Sequence, residues 1–166
     1  MIILGIDPGT ATLGFGIIKK TKDSLEVIDY GCINTTPDLC QGDRLKIINT
    51  ELTKLIKLHQ PDVLAVERLF YFKNLKTVMP VSEAKGVVLF TAAKKNLPVF
   101  EYTPLQMKMA IAGYGRAEKK QVQRMIQVQL NLEEKPKNKD KRKDDATDAL
   151  GIAMCYALDT RNIHTI

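Results

Sequence analysis

Residues Met1–Asp7 read MIILGID, and Pro8-Gly9 ends the run. An uninterrupted apolar stretch that closes on an acid reads as a strand buried on both faces, and Pro-Gly reads as the turn that follows it. Working outward, residues 13–19 (LGFGIIK) read as a second strand, Lys22-Asp23-Ser24 as a turn, and residues 25–34 (LEVIDYGCIN) as a third strand. Three strands with short connections make an antiparallel meander. The period then changes. Leu45, Ile48, Leu52, Leu55 and Ile56 fall at helical spacing, so residues 43–59 read as an amphipathic helix that Pro61 stops. Residues 62–67 (DVLAVE) form a fourth strand, reached by a right-handed parallel crossover. Beyond it the expected order is a helix over 80–95, a strand over 97–101 and a short helix over 104–111. A break at Gly113-Tyr114-Gly115 follows, then a helix over 117–130, a charged loop over 132–143, and a last helix from about Asp144 to Leu158. The sum is an α/β domain over residues 1–166, with a mixed five-stranded sheet (a three-strand antiparallel meander plus two parallel strands) and helices on both faces.

A chain of 166 residues, 45% of them apolar, builds its own core without metal or disulfide staples. Three cysteines and two histidines sit at no zinc spacing. No apolar run approaches the roughly 18 residues of a membrane helix. MIILGID has no basic region before its apolar stretch, so no secretion signal is expected. The expected location is the cytoplasm, with the thiols reduced. Charge is uneven. Residues 107–143 carry 11 basic and 4 acidic side chains, residues 1–106 carry 13 and 11, and residues 144–166 carry one and four. A basic segment of this kind suits a polyanion, with nucleic acid the leading candidate; a solvated basic surface is the plainer reading.

Acids stand where acids are costly. Asp7 closes the first strand and Glu67 the fourth, and the last helix opens DDATDALG, with Asp145 and Asp148 three residues apart on one face. If the two strands are parallel neighbours, both strand-end carboxylates project into the crevice where open α/β sheets place ligands. Singly, Asp7 also reads as a turn acid, Glu67 as a surface acid, and Asp144 and Asp145 as cap and dipole partners. Jointly they read otherwise. Two like charges about 4 Å apart repel by about 4 kcal/mol at an effective dielectric near 20. A cluster of three or four therefore persists only with shared protons or bound cations. An all-oxygen donor set selects Mg²⁺ or Mn²⁺, and two such ions serve phosphodiester hydrolysis. No paired Ser and His, and no Cys near a His in sequence, offers an organic alternative.

Lys135, Lys137, Lys139, Lys141, Arg142 and Lys143 lead straight into the acidic helix, where a phosphate backbone drawn to them would meet the carboxylates. In GYGRAEKKQ two glycines precede a helix start, a geometry that offers backbone N–H groups to an anion, with Lys119 and Lys120 in the first turns. Three aromatics in RLFYFKN follow Glu67; exposed, they would stack on unpaired bases, and otherwise they enter the core.

The run GIDPGTATLGFGI, then AVERLFYFKN, then LPVFEYTPLQMKMAIAGYGRAEKKQV, then DDATDALGIA resembles the RuvC family of Holliday-junction resolvases, in order, from about residue 2 to 158. The resemblance implies a ribonuclease H-like fold, a homodimer, and Mg²⁺-dependent nicking of two opposed strands of a four-way DNA junction, with two ions per site and Mn²⁺ able to substitute. It implies a branch-migration complex of RuvA and RuvB type proteins as partner. By motif position it makes Asp7, Glu67, Asp145 and Asp148 the catalytic and metal-holding acids, while Asp144 matches no family ligand. Phe70 falls where the family has an aromatic that probes the junction centre, and Lys108 and Lys119 where it has lysines near the scissile phosphate. Lys73, Arg116, Lys120, Lys141, Arg142 and Lys143 complete the expected DNA-binding set. Residues Ser82–Gly86 lie on a helix where the family dimerises. The chain departs from the family at Ala11, where a basic residue is common, and in the density of its basic loop. Three other readings stand beside this one. They are a related nuclease with another nucleic-acid target, a non-catalytic junction-binding module, and an ATPase of the actin type, for which 166 residues and one phosphate-loop-like motif are too few.

Overall fold

The computed structural model describes residues 1–68, 75–132 and 141–159, the side chains of 75–77 and 141–143 excepted. Five strands, β1 (Ile2–Asp7), β2 (Thr12–Lys20), β3 (Leu25–Asn34), β4 (Val63–Glu67) and β5 (Val99–Tyr102), form one sheet in the order β3-β2-β1-β4-β5. The β3-β2-β1 half is antiparallel and the β1-β4-β5 half parallel, as the meander and the crossover predict. Helices α1 (Gln41–His59) and α2 (Leu75–Lys94) cover one face; α3 (Pro104–Ala112), α4 (Lys119–Gln129) and α5 (Lys141–Leu158) cover the other.

The pleat sorts side chains between two cores. Leu4, Ile6, Leu13, Ile17, Leu64 and Val66 meet Ile48, Leu52 and Ile56 of α1 and Ala84, Val88 and Ala92 of α2. On the opposite face Ile3, Ile18, Val63, Ala65, Phe100 and Tyr102 meet α5, with Val122 and Ile126 of α4 behind it.

Element ends follow local chemistry. Gln60 adopts the left-handed conformation just before Pro61 and closes α1. Thr103 caps α3 in a reciprocal capping box with Gln106, and Pro104 occupies the first turn, where its missing N–H costs nothing.

Several boundaries differ from the sequence reading, three of them at element starts that bear on the site. Helix α2 begins at Leu75 and runs through Pro80, so proline lies inside the helix and does not open it. Strand β5 begins at Val99, because Asn96 turns with positive φ and the Leu97 N–H is spent on the Ala92 carbonyl at the end of α2. Helix α5 begins at Lys141, so Lys141, Arg142 and Lys143 are helical and not part of a loop; lysine and arginine are good helix formers, and a charged run by itself does not stop a helix. Asp144 consequently sits in the first turn, suited to the helix dipole, and is not the cap.

Candidate active site

The register places the strand-end acids. Ile6 of β1 pairs with Val66 of β4 in parallel, so Asp7 and Glu67 are the next step on adjacent strands. Alternation puts Asp7 on the same face as Ile3 and Gly5, and Glu67 on that of Val63 and Ala65, which is the α5 face. Both are half-buried.

Glycine brings the third and fourth acids to them. Gly14 of β2 pairs with Asp7, and a Cβ on it would lie 2.2 Å from the Asp145 carbonyl oxygen. A Cβ on Gly5 would lie 2.1 Å from the Ala149 carbonyl oxygen. The backbone of α5 therefore rests directly on β1 and β2, at a distance no side-chain-bearing strand allows. Its first turns then deliver Asp145 and Asp148 beside Asp7. Ligand atoms of Asp7, Asp145 and Asp148 lie within 4.8 Å of one another, and Asp148 is buried to 9% exposure.

The electrostatics are those of acids crowded together away from water. Burial, then the neighbouring charges of Glu67, Asp148 and Asp145, push the Asp7 carboxyl well above the usual range. Side-chain hydrogen bonding with Glu67 adds to the rise. Burial also raises Glu67; that hydrogen bond and the ammonium groups of Lys119 and Lys85 pull the other way without reversing the shift. Burial raises Asp145 as well, against the pull of Lys119. Lys119 sets its ammonium 2.5 Å from Asp148 Oδ2, and Gln123, one turn on along α4, donates to Asp148 Oδ1 at 3.1 Å. Burial lowers the Lys119 pKa, but the hydrogen bond and charge of Asp148, with Asp7 and Asp144 behind, raise it further.

A second set of polar contacts holds the frame. The Thr10 hydroxyl, just past Asp7, donates to the Pro80 carbonyl of α2 at 2.7 Å. The Thr35 hydroxyl donates to the Thr10 carbonyl at 2.6 Å, and Arg44 Nε of α1 donates to the Thr35 hydroxyl at 2.8 Å. This chain ties the turn after Asp7 to both helices of the opposite face. Beside Glu67, Glu101 of β5 pairs with Lys85 of α2 and lies 3.7 Å from Arg68 Nε.

Three of the four acids named from sequence thus lie in one cluster, and Glu67 stands beside Asp7 on the adjacent strand, where its charge acts on Asp7. Of the basic residues, Lys119 reaches it. Lys108 is half-buried on α3, and Arg116 and Lys120 are exposed; none of the three forms an ion pair among the described residues. Phe70, Lys73 and most of the basic loop lie outside the described residues, as do the side chains of Lys141, Arg142 and Lys143. The anion-binding reading of Gly113-Tyr114-Gly115 is corrected. Gly113 closes α3 in the left-handed conformation (φ 68°), and α4 is capped by Glu118 in a reciprocal box with Gln121. The glycines thus belong to the end of α3 and the turn after it, and not to the start of α4. Gln123, Thr10, Thr35 and Arg44 were not singled out from sequence. For Gln123 a signal existed, since it lies four residues after Lys119 and shares its helix face.

Among the described residues, no helix is long and apolar enough to cross a membrane. The family profile for crossover junction endodeoxyribonuclease RuvC matches residues 3–156. A protein of that name from Halothermothrix orenii is 50% identical over 156 residues, 94% of this chain and 92% of the relative. One from Alkaliphilus metalliredigens is 52% identical over 157 residues, 95% of this chain and 93% of the relative. The structure of T. thermophilus RuvC in complex with a Holliday junction substrate superposes with a TM-score of 0.89 at 29% identity, covering 100% of this chain and 99% of that one. Four acids gathered on a sheet of this order, in a chain so matched from end to end, place it plainly: it belongs to the RuvC family of crossover junction endodeoxyribonucleases, with their ribonuclease H-like fold.

Proposed function

We propose that this chain is a structure-specific endonuclease that resolves four-way DNA junctions in recombination and repair, hydrolysing phosphodiester bonds symmetrically in two opposed strands. The observation that carries the reading is the clustering of Asp7, Asp145 and Asp148 within 4.8 Å, with Glu67 hydrogen-bonded to Asp7. These carboxyls, with Glu67 beside Asp7 on the next strand, are a donor set for hard divalent cations. Asp7, Glu67, Asp145 and Asp148 would hold Mg²⁺, two ions per site, with Mn²⁺ able to replace it. When bound, such ions neutralise the cluster, supply a hydroxide-like nucleophile and stabilise the departing oxygen.

The chain's own residues do the rest. The strand ends and α5 fix the four carboxyls on rigid elements, and Lys119, on a flexible stem, brings a positive charge to where phosphate oxygens approach. Phe70, Lys73, Lys108, Arg116, Lys120, Lys141, Arg142 and Lys143 complete the DNA-binding surface. Neutralising the three at 141–143 is expected to flatten the salt dependence of junction affinity by about 0.9 in log–log slope for each DNA phosphate they would otherwise neutralise.

The working unit is a homodimer, because two opposed strands need two sites. Helix α2 suits the interface. It exposes Met79 and Phe90 (66% and 59%), and a Cβ on Gly86 would meet nothing within 4 Å, leaving room for a close neighbour. Residues 1–166 act as one domain in the cytoplasm, beside RuvA and RuvB type proteins. The test is a labelled four-way junction with Mg²⁺, with Mn²⁺ and with chelator. Paired symmetric nicks with either ion, and binding without cutting in chelator, are expected. Cutting that persists in chelator, or equal cutting of linear duplex, refutes the reading.

A further inference from the structure

Asp148 is the most deeply buried of the carboxylates near Asp7, and its two oxygens are held differently. Lys119 holds Oδ2 through a side chain that is 60% exposed on a long, flexible stem. Gln123 holds Oδ1 through a half-buried amide, on a helix pinned to α5 by the fully buried Val122 and Ile126 beside it. One partner can leave and the other cannot. A cation approaching the cluster competes with the Lys119 ammonium for the same charge, whereas a neutral amide donor opposes nothing. It restricts the carboxylate's rotation about χ2 and keeps one oxygen turned toward Asp7 and Asp145.

We propose that Gln123 is a positioning residue for divalent-cation binding: its amide orients Asp148 before the ion arrives and stays bonded after Lys119 has given way. The inference rests on the metal-dependent reading of the acid cluster. An outer partner of a ligating carboxylate is worth roughly 10–100-fold in metal affinity.

The test is a Mn²⁺ titration of the full chain without DNA, following the resonance of free aqueous Mn²⁺. Gln123→Met keeps the length of the side chain and removes the donor; Gln123→Asn keeps the amide but falls one carbon short of Asp148. Both are expected to weaken Mn²⁺ binding about 10-fold or more, with little change in melting temperature in chelator. Both are expected to recover junction cleavage as Mn²⁺ is raised, a rescue that damaged packing would not show. Should wild type bind Mn²⁺ and both variants bind it within about twofold, or should added Mn²⁺ fail to restore cleavage, Gln123 has no such role while the acid cluster keeps its own. Should wild type itself bind no Mn²⁺, the reading of the cluster fails and this inference falls with it.

Discussion

The same three strands show two different faces. Toward α1 and α2, β1 offers Leu4 and Ile6, β2 offers Leu13, Phe15 and Ile17, and β4 offers Leu64 and Val66. Toward α5 the corresponding positions are Ile3, Gly5 and Asp7, then Gly14, Gly16 and Ile18, then Val63, Ala65 and Glu67. The first face is filled by large apolar chains along its whole length. The second tapers from large, through small, to acidic as it approaches the C-terminal ends of β1 and β4. Large side chains keep a helix at a distance and yield stability; absent side chains admit a helix backbone and yield proximity. The difference is between a face that holds the sheet and a face that gathers the acids.

The predictions press on that contrast. Asp7→Asn, at the acidic end of the α5 face, is expected to lower junction cleavage by several kcal/mol of activation free energy, about 10³-fold or more, while junction binding in chelator stays within about twofold. Leu52→Ala, fully buried on the opposite face, should do the reverse. Denaturant unfolding should show a loss of about 2–5 kcal/mol, with the cleavage rate per folded molecule nearly unchanged. Gly14→Ala joins the two effects, since its methyl would lie 2.2 Å from the Asp145 carbonyl. We expect a stability loss of about 1–3 kcal/mol from overpacking. A displacement of α5 by about 1 Å would also slow cleavage roughly 10²-fold. A Gly14→Ala protein with wild-type cleavage would show that close approach of α5 is not what positions the acids.

The smallest effect is one of pH. Folding raises the affinity of Asp7, Glu67 and Asp145 for protons. A carboxyl raised in the folded state adds stability that is complete below its unfolded value, about 4, and is lost as pH rises through the folded value. In chelator the melting temperature should therefore fall as pH climbs from about 4 toward neutrality. Asp7→Asn, which cannot ionise, should soften that fall. The variant should therefore melt above wild type at neutral pH. Scanning calorimetry from about pH 4 to 8 decides it, and a variant that melts lower would place the strain elsewhere.

Much of this was legible in the residue order. The apolar run of β1, the period change at Asp43 and the stop at Pro61 are local signals, and they carried the five-stranded mixed sheet. Strand-end acids and an i, i+3 pair on a helix carried the four site residues, because each depends only on spacing. Boundaries that depend on hydrogen bonds elsewhere were not legible. Leu97 left β5 because its N–H went to Ala92, and α5 began three residues before its first acid. The glycines at 113 and 115 misled because glycine serves a helix end as readily as an anion, and the choice is made by which end lies nearby.

By itself, then, the order of residues determined which elements form and which acids close them, since periodicity and turn chemistry act over a few positions of chain. Only the tertiary structure decided that α5 lies on bare glycine backbone, that Asp7 and Glu67 end adjacent strands side by side, and that Lys119 and Gln123 divide the two oxygens of Asp148. Those facts depend on ångström distances between segments far apart in the chain, and on the loss of water that makes a charge at such a distance count.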